Sequence, residues 1–323
     1  MFEVTPLTRR EFLRTTGAAT AVSLGVPAKT IGQETSKPRL MRLGGPIFVK
    51  SDDPAVLARE HRRLGYRAAY APDVSLKDKD KIKAIVKEFA SQDVAIAEVG
   101  AWVNMLDPNP EKRRKNLEYV TERLALAEEL GARCCPDIAG SFNPDVWYGP
   151  HPDNFSQRFF DATVENARKV IDAVKPTRTT FTIEMMGWCP PTGPDEYLKL
   201  IKAIDRKAFA VHMDVCNVIN SPYRMYNNSA VIRECFAKLG PWIKSCHAKD
   251  LAWVIELQVH FQEVIPGRGL MDYRTYLTEL SRLKTDAPLM LEHLKTAEEY
   301  DEGRNYILNV ARKAGLSFGT NEA

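Results

Sequence analysis

Eight short apolar segments recur along the chain between residues 43 and 294. Each is apolar on both faces and is followed by a turn-rich stretch, which is typical of strands buried in a parallel sheet. They are LGGPIF (43–48), YRAAYAP (66–72), VAIAEVG (94–100), ARCCPDIAG (132–140), TTFTIEMM (179–186), FAVHMDVCN (209–217), IKSCHAKDL (243–251) and APLMLEHL (287–294). The pattern predicts eight buried strands.

Helical patterns separate most of these segments. Apolar positions recur every three or four residues from Leu117 to Leu130, where Gly131 supplies a stop, and again from Phe160 to Val174, before Pro176. Further helices are predicted over 80–91, 194–205, 229–239, 272–284 and 297–314. Eight strand–helix units of this size predict a (β/α)₈ TIM barrel over residues 38–318. A doubly wound open sheet is the alternative, but no glycine-rich dinucleotide fingerprint follows the first strand.

One irregular segment follows the seventh predicted strand. LQVHFQEV, residues 257–264, alternates apolar and polar side chains and then meets PGRG, residues 266–269. Strict alternation is the pattern of a half-buried strand. The sequence therefore predicts a short β-excursion over the mouth of the barrel.

The first 34 residues differ from the rest. Arg9 and Arg10 precede the mildly apolar stretch GAATAVSLGVPA, which is the layout of a twin-arginine export signal with a short linker. This predicts a periplasmic or cell-surface bacterial protein, exported already folded. The stretch is too short and too weakly apolar for a membrane span, so no stable membrane insertion is expected. An ordinary capped first helix is the alternative.

Charge and cysteine content narrow the class of protein. The net charge is +3 and the charges are mixed along the chain, so no nucleic-acid partner is expected. The six cysteines include no CxxC pair and fall mostly in strand-like segments, which favours buried free thiols.

Four of the apolar segments carry an ionisable residue near the carboxyl end. These residues are Glu184, Asp214, His247 and Glu292, from the fifth to the eighth predicted strands. In a TIM barrel these ends converge on one rim, where catalysis takes place. Three carboxylates and an imidazole at one rim form a site for one divalent cation, such as Mn²⁺, Mg²⁺ or Co²⁺, with Zn²⁺ as a further alternative. Taken singly, each has a structural explanation, such as an ion pair or a loop cap.

The segments IEMMGW, HMDVCN, CHAKD with PGRGLMDY, and MLEHL resemble the sugar phosphate isomerase/epimerase family of xylose isomerase-like barrels. The resemblance covers the chain after the predicted signal. It implies that Glu184, Asp214, His247 and Glu292 bind one metal ion, often Mn²⁺. It also implies that Glu184 and Glu292 are catalytic and face the reacting carbon from opposite sides, and that the barrel can pair as a homodimer.

The expected reaction is isomerisation or epimerisation of a free sugar or sugar derivative, by proton abstraction next to a carbonyl through a metal-stabilised enediolate. Export disfavours a phosphate ester. Two alternatives stay open: a 3-keto-glycoside lyase that eliminates the aglycone, and a non-catalytic periplasmic sugar-binding protein.

Further polar and aromatic residues near the same strand ends are expected to contact the sugar or glycoside. They are Trp102, Asn104, Trp188, His212, Asn217, Lys249 and Arg268. Glu98 and Asp137 also end strands and are expected behind the metal ligands. Asn217 departs from the ketose 3-epimerases, which usually carry a histidine three residues after the metal-binding aspartate. An amide can hydrogen-bond a hydroxyl but cannot shuttle a proton.

Overall fold

Eight parallel strands form the wall of a barrel in the computed structural model, which describes residues 40–319. The strands are β1 (Leu43–Gly44), β2 (Ala68–Tyr70), β3 (Ala95–Glu98), β4 (Cys135–Asp137), β5 (Phe181–Glu184), β6 (Phe209–Met213), β7 (Ile243–Ala248) and β10 (Leu289–Leu291). They pair in the order β3-β2-β1-β10-β7-β6-β5-β4. A parallel bridge between Glu98 and Cys134 joins β3 to the segment entering β4 and closes the ring. The predicted TIM barrel is confirmed.

The described part of the chain has nine α-helices, eight between strands and one after the last strand. They are α1 (Pro54–Arg63), α2 (Lys79–Ser91), α3 (Pro110–Leu130), α4 (Gln157–Val174), α5 (Pro194–Ile204), α6 (Pro222–Tyr226), α7 (Asn228–Leu239), α8 (Tyr273–Ser281) and α9 (Ala297–Lys313). Short 3₁₀ turns cover Pro152–Phe155, Cys216–Val218 and Gly240–Trp242. Polar caps begin several helices, as Asn109 does by accepting from two backbone N–H groups of α3.

The helix α1 carries its apolar residues only in its first half and is not among the predicted helices. Asp53 caps it and Pro54 stands at its first position, but only Ala58 and His61 of its residues are buried. In contrast, α3 ends as predicted, with Gly131 in the left-handed conformation.

The seventh predicted strand divides in two. β7 stays in the barrel wall up to Ala248, and the chain then leaves the wall as β8 (Asp250–Val254), which pairs antiparallel with β9 (His260–Val264). Trp253 faces Phe261 across this hairpin, with ring centroids 4.6 Å apart. The sequence predicts a β-excursion over residues 257–264. Its partner in the structure, β8, begins within the last two residues of the seventh apolar segment, which the sequence assigns to the barrel wall. Aromatic cross-strand pairs of this kind stabilise a two-stranded ribbon.

The loop after the hairpin is held by one carboxylate. Asp250 accepts backbone N–H hydrogen bonds from Leu251, Gly267, Gly269 and Met271, at 2.9–3.1 Å. Because Asp250 directly follows Lys249, these bonds tie the 266–271 loop to the rim where β7 ends.

Other predictions have mixed outcomes. All six cysteines are buried and unpaired, as expected. Within residues 40–319, no helix combines the length and apolarity needed to cross a bilayer. The predicted signal at residues 1–34 lies outside the described residues.

Candidate metal centre and active site

Four ionisable side chains meet at the carboxyl ends of β5, β6, β7 and β10. Glu184 is the last residue of β5, Asp214 follows β6, His247 lies near the end of β7, and Glu292 follows β10. These strands are consecutive in the sheet. One ligand atom from each residue lies within 4.8 Å of the others. The barrel therefore brings together the four residues that the sequence predicts to form a metal site.

The imidazole of His247 lies at the centre of this cluster. Its Nδ1 is 2.7 Å from Oε1 of Glu292 and 3.2 Å from Oε1 of Glu184. Oδ2 of Asp214 is 3.7 Å from the same nitrogen. His247 and Asp214 are fully buried, and Glu292 retains 13% of its side-chain exposure. The site is therefore shielded from solvent on the side of His247 and Asp214, and it opens to solvent beside Glu292.

Lys249 brings a positive charge into the same cluster. Its Nζ lies 2.6 Å from Oε1 of Glu292 and 2.9 Å from Oδ2 of Asp214, and the side chain is only 4% exposed. Buried carboxylates need a cationic neighbour to stay ionised, and Lys249 supplies part of that charge.

The donor set fits a divalent cation. Oδ2 of Asp214 and Oε1 of Glu292 are buried and accept no hydrogen bond of good geometry, although the ammonium of Lys249 is within ion-pair distance. Three carboxylates and one imidazole match the oxygen-rich ligand sets of Mn²⁺ and Mg²⁺. Two under-satisfied buried oxygens within one cluster of ligand atoms are the feature that such an ion would complete.

A second buried cluster lies behind His247. Glu98, the last residue of β3, has Oε2 3.3 Å from Nε2 of His247 and Oε1 3.0 Å from Nε2 of His212. The Ser245 hydroxyl donates a short hydrogen bond to the same Oε1. These residues are at most 1% exposed. The two histidine rings are edge to face, with centroids 4.1 Å apart.

The environment shifts the pKa values of these groups in different directions. Burial would raise the pKa of Glu98, but the charges of His212 and His247 outweigh it and the pKa lies well below its ordinary value. Burial is also the largest influence on Glu184, and there it prevails, so that its pKa is raised. For Glu292 the charge of His247 overcomes burial and lowers the pKa. In the metal-free cluster, the pKa values of the two candidate catalytic carboxyls are therefore shifted in opposite directions.

The pKa values of His247 and Lys249 are both raised. Burial alone would lower both pKa values, but Glu292 and Glu98 around the imidazole raise that of His247 well above its ordinary value. Asp214, followed by other carboxylates, does the same for the pKa of Lys249. The cluster balances acidic against basic groups within a few ångströms.

Trp102 lies beside the two histidines. Its ring centroid is 6.1 Å from that of His212 and 6.2 Å from that of His247. Its backbone φ is +49°, which is unusual for a bulky residue, and Asp137 holds the next residue by accepting from the N–H of Val103 at 3.0 Å. The loop after β3 thus brings an indole to the site.

Asn104 hydrogen-bonds backbone rather than facing open space. Its Nδ2 donates to the carbonyl of Ser141 at 2.7 Å, and its Oδ1 accepts from the N–H groups of Leu106 and Ser141, both at 2.9 Å. The buried amide joins the loops that follow β3 and β4. Its predicted contact with substrate stays a prediction.

The remaining predicted contacts fall into different settings. Asn217 donates from Nδ2 to Oε1 of Glu184 at 3.1 Å, so it touches a candidate catalytic carboxylate. Trp188 is 52% exposed on the loop after β5. Arg268 forms a two-pronged ion pair with Glu302, at 2.6 and 2.7 Å, on the exposed surface. His212 is fully buried against Glu98.

Three residues near the site are not predicted from the sequence. Ser245 lies two positions before His247 on β7, and the period of two along a strand could have indicated their common face. Glu263 on β9 lies 3.7 Å from Lys249 and accepts from Nδ1 of His293 at 2.8 Å. The hairpin brings Glu263 there, and only the tertiary pairing of β8 with β9 determines that approach.

Residues 58–310 match the family model for the xylose isomerase-like TIM barrel. The chain belongs to this family. The match spans most of the described barrel and includes all four residues of the candidate metal site. The sequence has no match among curated proteins.

Solved structures with the same fold are distant in sequence. A xylose isomerase-like barrel from Mycobacterium smegmatis in complex with magnesium has 19% identity and a TM-score of 0.59, covering 85% of this chain and 97% of that one. Endonuclease IV from Thermus thermophilus has 15% identity and a TM-score of 0.63, covering 84% and 99%. The 3-keto-D-glucoside 4-epimerase of E. coli has 13% identity and a TM-score of 0.58, covering 83% and 98%. These similarities establish the fold alone.

Proposed function

We propose that this protein is a divalent-metal-dependent isomerase or epimerase of a free sugar or sugar derivative. The observation that carries the proposal is the convergence of Glu184, Asp214, His247 and Glu292 within 4.8 Å at the rim of the barrel. The similar barrels include a sugar epimerase and a magnesium complex, which support the reaction class and the metal.

Glu184, Asp214, His247 and Glu292 would hold the ion. When bound, the ion supplies Lewis-acid stabilisation of the negative charge that develops on the substrate oxygen next to the reacting carbon. Mn²⁺ is the proposed metal because it accepts both carboxylate and imidazole ligands.

Glu184 and Glu292 approach from different sides of the site. Their strands, β5 and β10, are separated in the sheet by β6 and β7. One carboxylate removes the proton from the carbon next to the carbonyl and the other returns a proton to the opposite face, which inverts the centre. Lys249, whose ammonium has three donors, can hydrogen-bond a substrate oxygen beside Glu292. Trp102 and Trp188 offer apolar faces for the sugar.

The experiment that tests this proposal follows deuterium from solvent into substrate. Mn²⁺-loaded protein is incubated in D₂O with free ketoses and, separately, with 3-keto-glycosides. We expect deuterium at the carbon next to the carbonyl together with a new epimer or isomer, and loss of both in Glu184→Gln and Glu292→Gln. The matched control is Glu165→Gln, on α4, whose exposed carboxylate pairs with Lys169 one turn further along the same helix.

Other outcomes distinguish the alternatives. Release of the aglycone from a 3-keto-glycoside without any epimer would replace the proposal with a β-elimination lyase. Retention of sugar binding with no divalent cation bound would indicate a non-catalytic sugar-binding protein. Light scattering of the same samples tests the proposed homodimer, and a fractionated bacterial host tests twin-arginine export to the periplasm.

A further inference from the structure

The His247 ring contacts carboxylates through both of its nitrogens. Nδ1 faces Glu184 and Glu292, at 3.2 and 2.7 Å. Nε2 faces Glu98, at 3.3 Å. The two ring nitrogens therefore lie in different surroundings: Nδ1 faces the candidate metal site and Nε2 faces the barrel interior.

Glu98 reaches His247 across the inside of the barrel. Its strand, β3, is separated from β7 in the sheet by β2, β1 and β10, so the contact cannot run along the wall. The side chain is fully buried. A buried carboxylate needs hydrogen bonds or opposite charges to offset the cost of its burial.

Those anchors come from two neighbouring strands. Oε1 of Glu98 accepts from Ser245 on β7 and lies 3.0 Å from Nε2 of His212 on β6. Oε2 is left for His247. Since Ser245 and His247 are two residues apart on one strand, they present their side chains on the same face. The carboxylate is thus held in one orientation with one oxygen directed at Nε2.

The same three residues, Glu98, His212 and His247, could be considered as a second metal site, since their ligand atoms also lie within 4.8 Å. Two features favour hydrogen bonding instead. The Ser245 hydroxyl already donates to Glu98, and His212, His247 and Glu98 show no side-chain exposure through which an ion could enter. The ionised carboxylate also has a hydrogen-bond donor for each oxygen.

We infer that Glu98 is a positioning residue, which accepts the Nε2–H of His247 and so turns Nδ1 toward Glu184, Asp214 and Glu292, where that nitrogen can exchange its proton for the metal ion. The inference rests on the proposed metal site and adds a residue to it. A carboxylate behind a metal-binding histidine fixes the tautomer and the ring orientation, and its loss typically weakens metal binding by 10–100-fold.

Titration with Mn²⁺, followed by calorimetry, tests this role without any substrate. Glu98→Gln has only one acceptor oxygen, so its amide nitrogen must face a donor, either Ser245 or one of the imidazoles. We expect Mn²⁺ affinity to fall by about 10–100-fold in this variant, and to fall less in Ser245→Ala. The matched control is Asp107→Asn, a buried carboxylate ahead of α3 that accepts from the N–H of Asn109 and pairs with Lys112, and it should leave the affinity close to that of the wild type.

A second measurement needs no variant and covers the case in which Glu98→Gln does not fold. In ¹⁵N-histidine-labelled wild-type protein loaded with diamagnetic Zn²⁺, we expect His247 to carry its proton on Nε2 and none on Nδ1. A proton on Nδ1 would overturn the inference, as would Mn²⁺ affinity in folded Glu98→Gln equal to that of the wild type. Failure of the wild type itself to bind Mn²⁺ would overturn the proposed function and this inference with it.

Discussion

The ammonium of Lys249 lies 2.6 Å from Oε1 of Glu292 and 2.9 Å from Oδ2 of Asp214, in a space from which solvent is almost excluded. Both carboxylates depend on this ammonium and on His247 for opposite charge. Removing one partner of a buried ion pair leaves the others uncompensated, which is costly.

We therefore expect Lys249→Met to destabilise the metal-free protein by roughly 3–5 kcal/mol at neutral pH, measured by urea unfolding. Mn²⁺ should restore much of the lost stability, because the ion supplies the missing positive charge. The matched control is Lys238→Met, a partly exposed surface lysine paired with Asp195 and Glu234, for which little change is expected. Equal stability of the two variants would contradict the prediction.

Gly100 makes room for Trp102. A Cβ at Gly100 would collide with the indole nitrogen, so Gly100→Ala must displace the ring from beside His212 and His247. For the sugar identified by the deuterium assay, kcat/KM should fall by roughly 10–100-fold, since misplaced contacts weaken alignment. Mn²⁺ affinity should be unchanged. Gly193→Ala, where nothing lies within 4 Å of the added Cβ, is the neutral control. Unchanged kcat/KM in Gly100→Ala would argue against a substrate role for Trp102.

Asp250 accepts hydrogen bonds from four backbone N–H groups, that of Leu251 in β8 and those of Gly267, Gly269 and Met271 in the loop that follows the hairpin. Asp250→Ala leaves these donors without their acceptor, at a cost of about 1–3 kcal/mol for each that stays buried. We expect the 266–271 segment to exchange its amide hydrogens much faster, as read by mass spectrometry, while the helices on the far side of the barrel keep their protection. Asp250→Asn retains one acceptor oxygen, so its exchange rate in this segment should lie between those of the wild type and Asp250→Ala. Wild-type exchange in Asp250→Ala would refute the role.

His61 makes the stability of the barrel sensitive to acid. The ring is buried on α1 near Tyr66 and Phe89, and burial lowers its pKa below the ordinary value of 6.5. The unfolded chain therefore binds this proton more readily than the folded protein. The contribution of His61 is complete above about pH 6.5 and is lost as the pH falls toward the folded pKa.

We expect His61→Phe, which cannot titrate, to lose less stability than the wild type between about pH 7 and pH 5 in urea titrations. His151→Phe is a control for the general effect of removing a histidine, since His151 lies outside this core. Parallel pH curves for wild type and His61→Phe would contradict the prediction.

Much of the site could be predicted from the sequence because the chemistry and the periodicity coincide. Glu184, Asp214, His247 and Glu292 each interrupt or end an apolar segment, and the parallel barrel requires those ends to meet. By contrast, α1 is missing from the predicted helices because its apolar residues stand only in its first half and its second half is charged. The contact between Glu98 and His247 joins strands far apart in the sheet, so no spacing along the chain indicates it.

The sequence by itself determined the strand–helix rhythm, the barrel and the residues at the strand ends, because burial on both faces and the helical period act locally. The tertiary structure decided which atoms of those residues are in contact. Closure of the sheet brings Glu98 across the interior to the back of His247. Pairing of β8 with β9 carries Glu263 to Lys249. The hydrogen bond from Asn217 to Glu184 and the ion pair of Arg268 with Glu302 could not be predicted from the sequence. Such contacts depend on distances between side chains that only the folded chain sets.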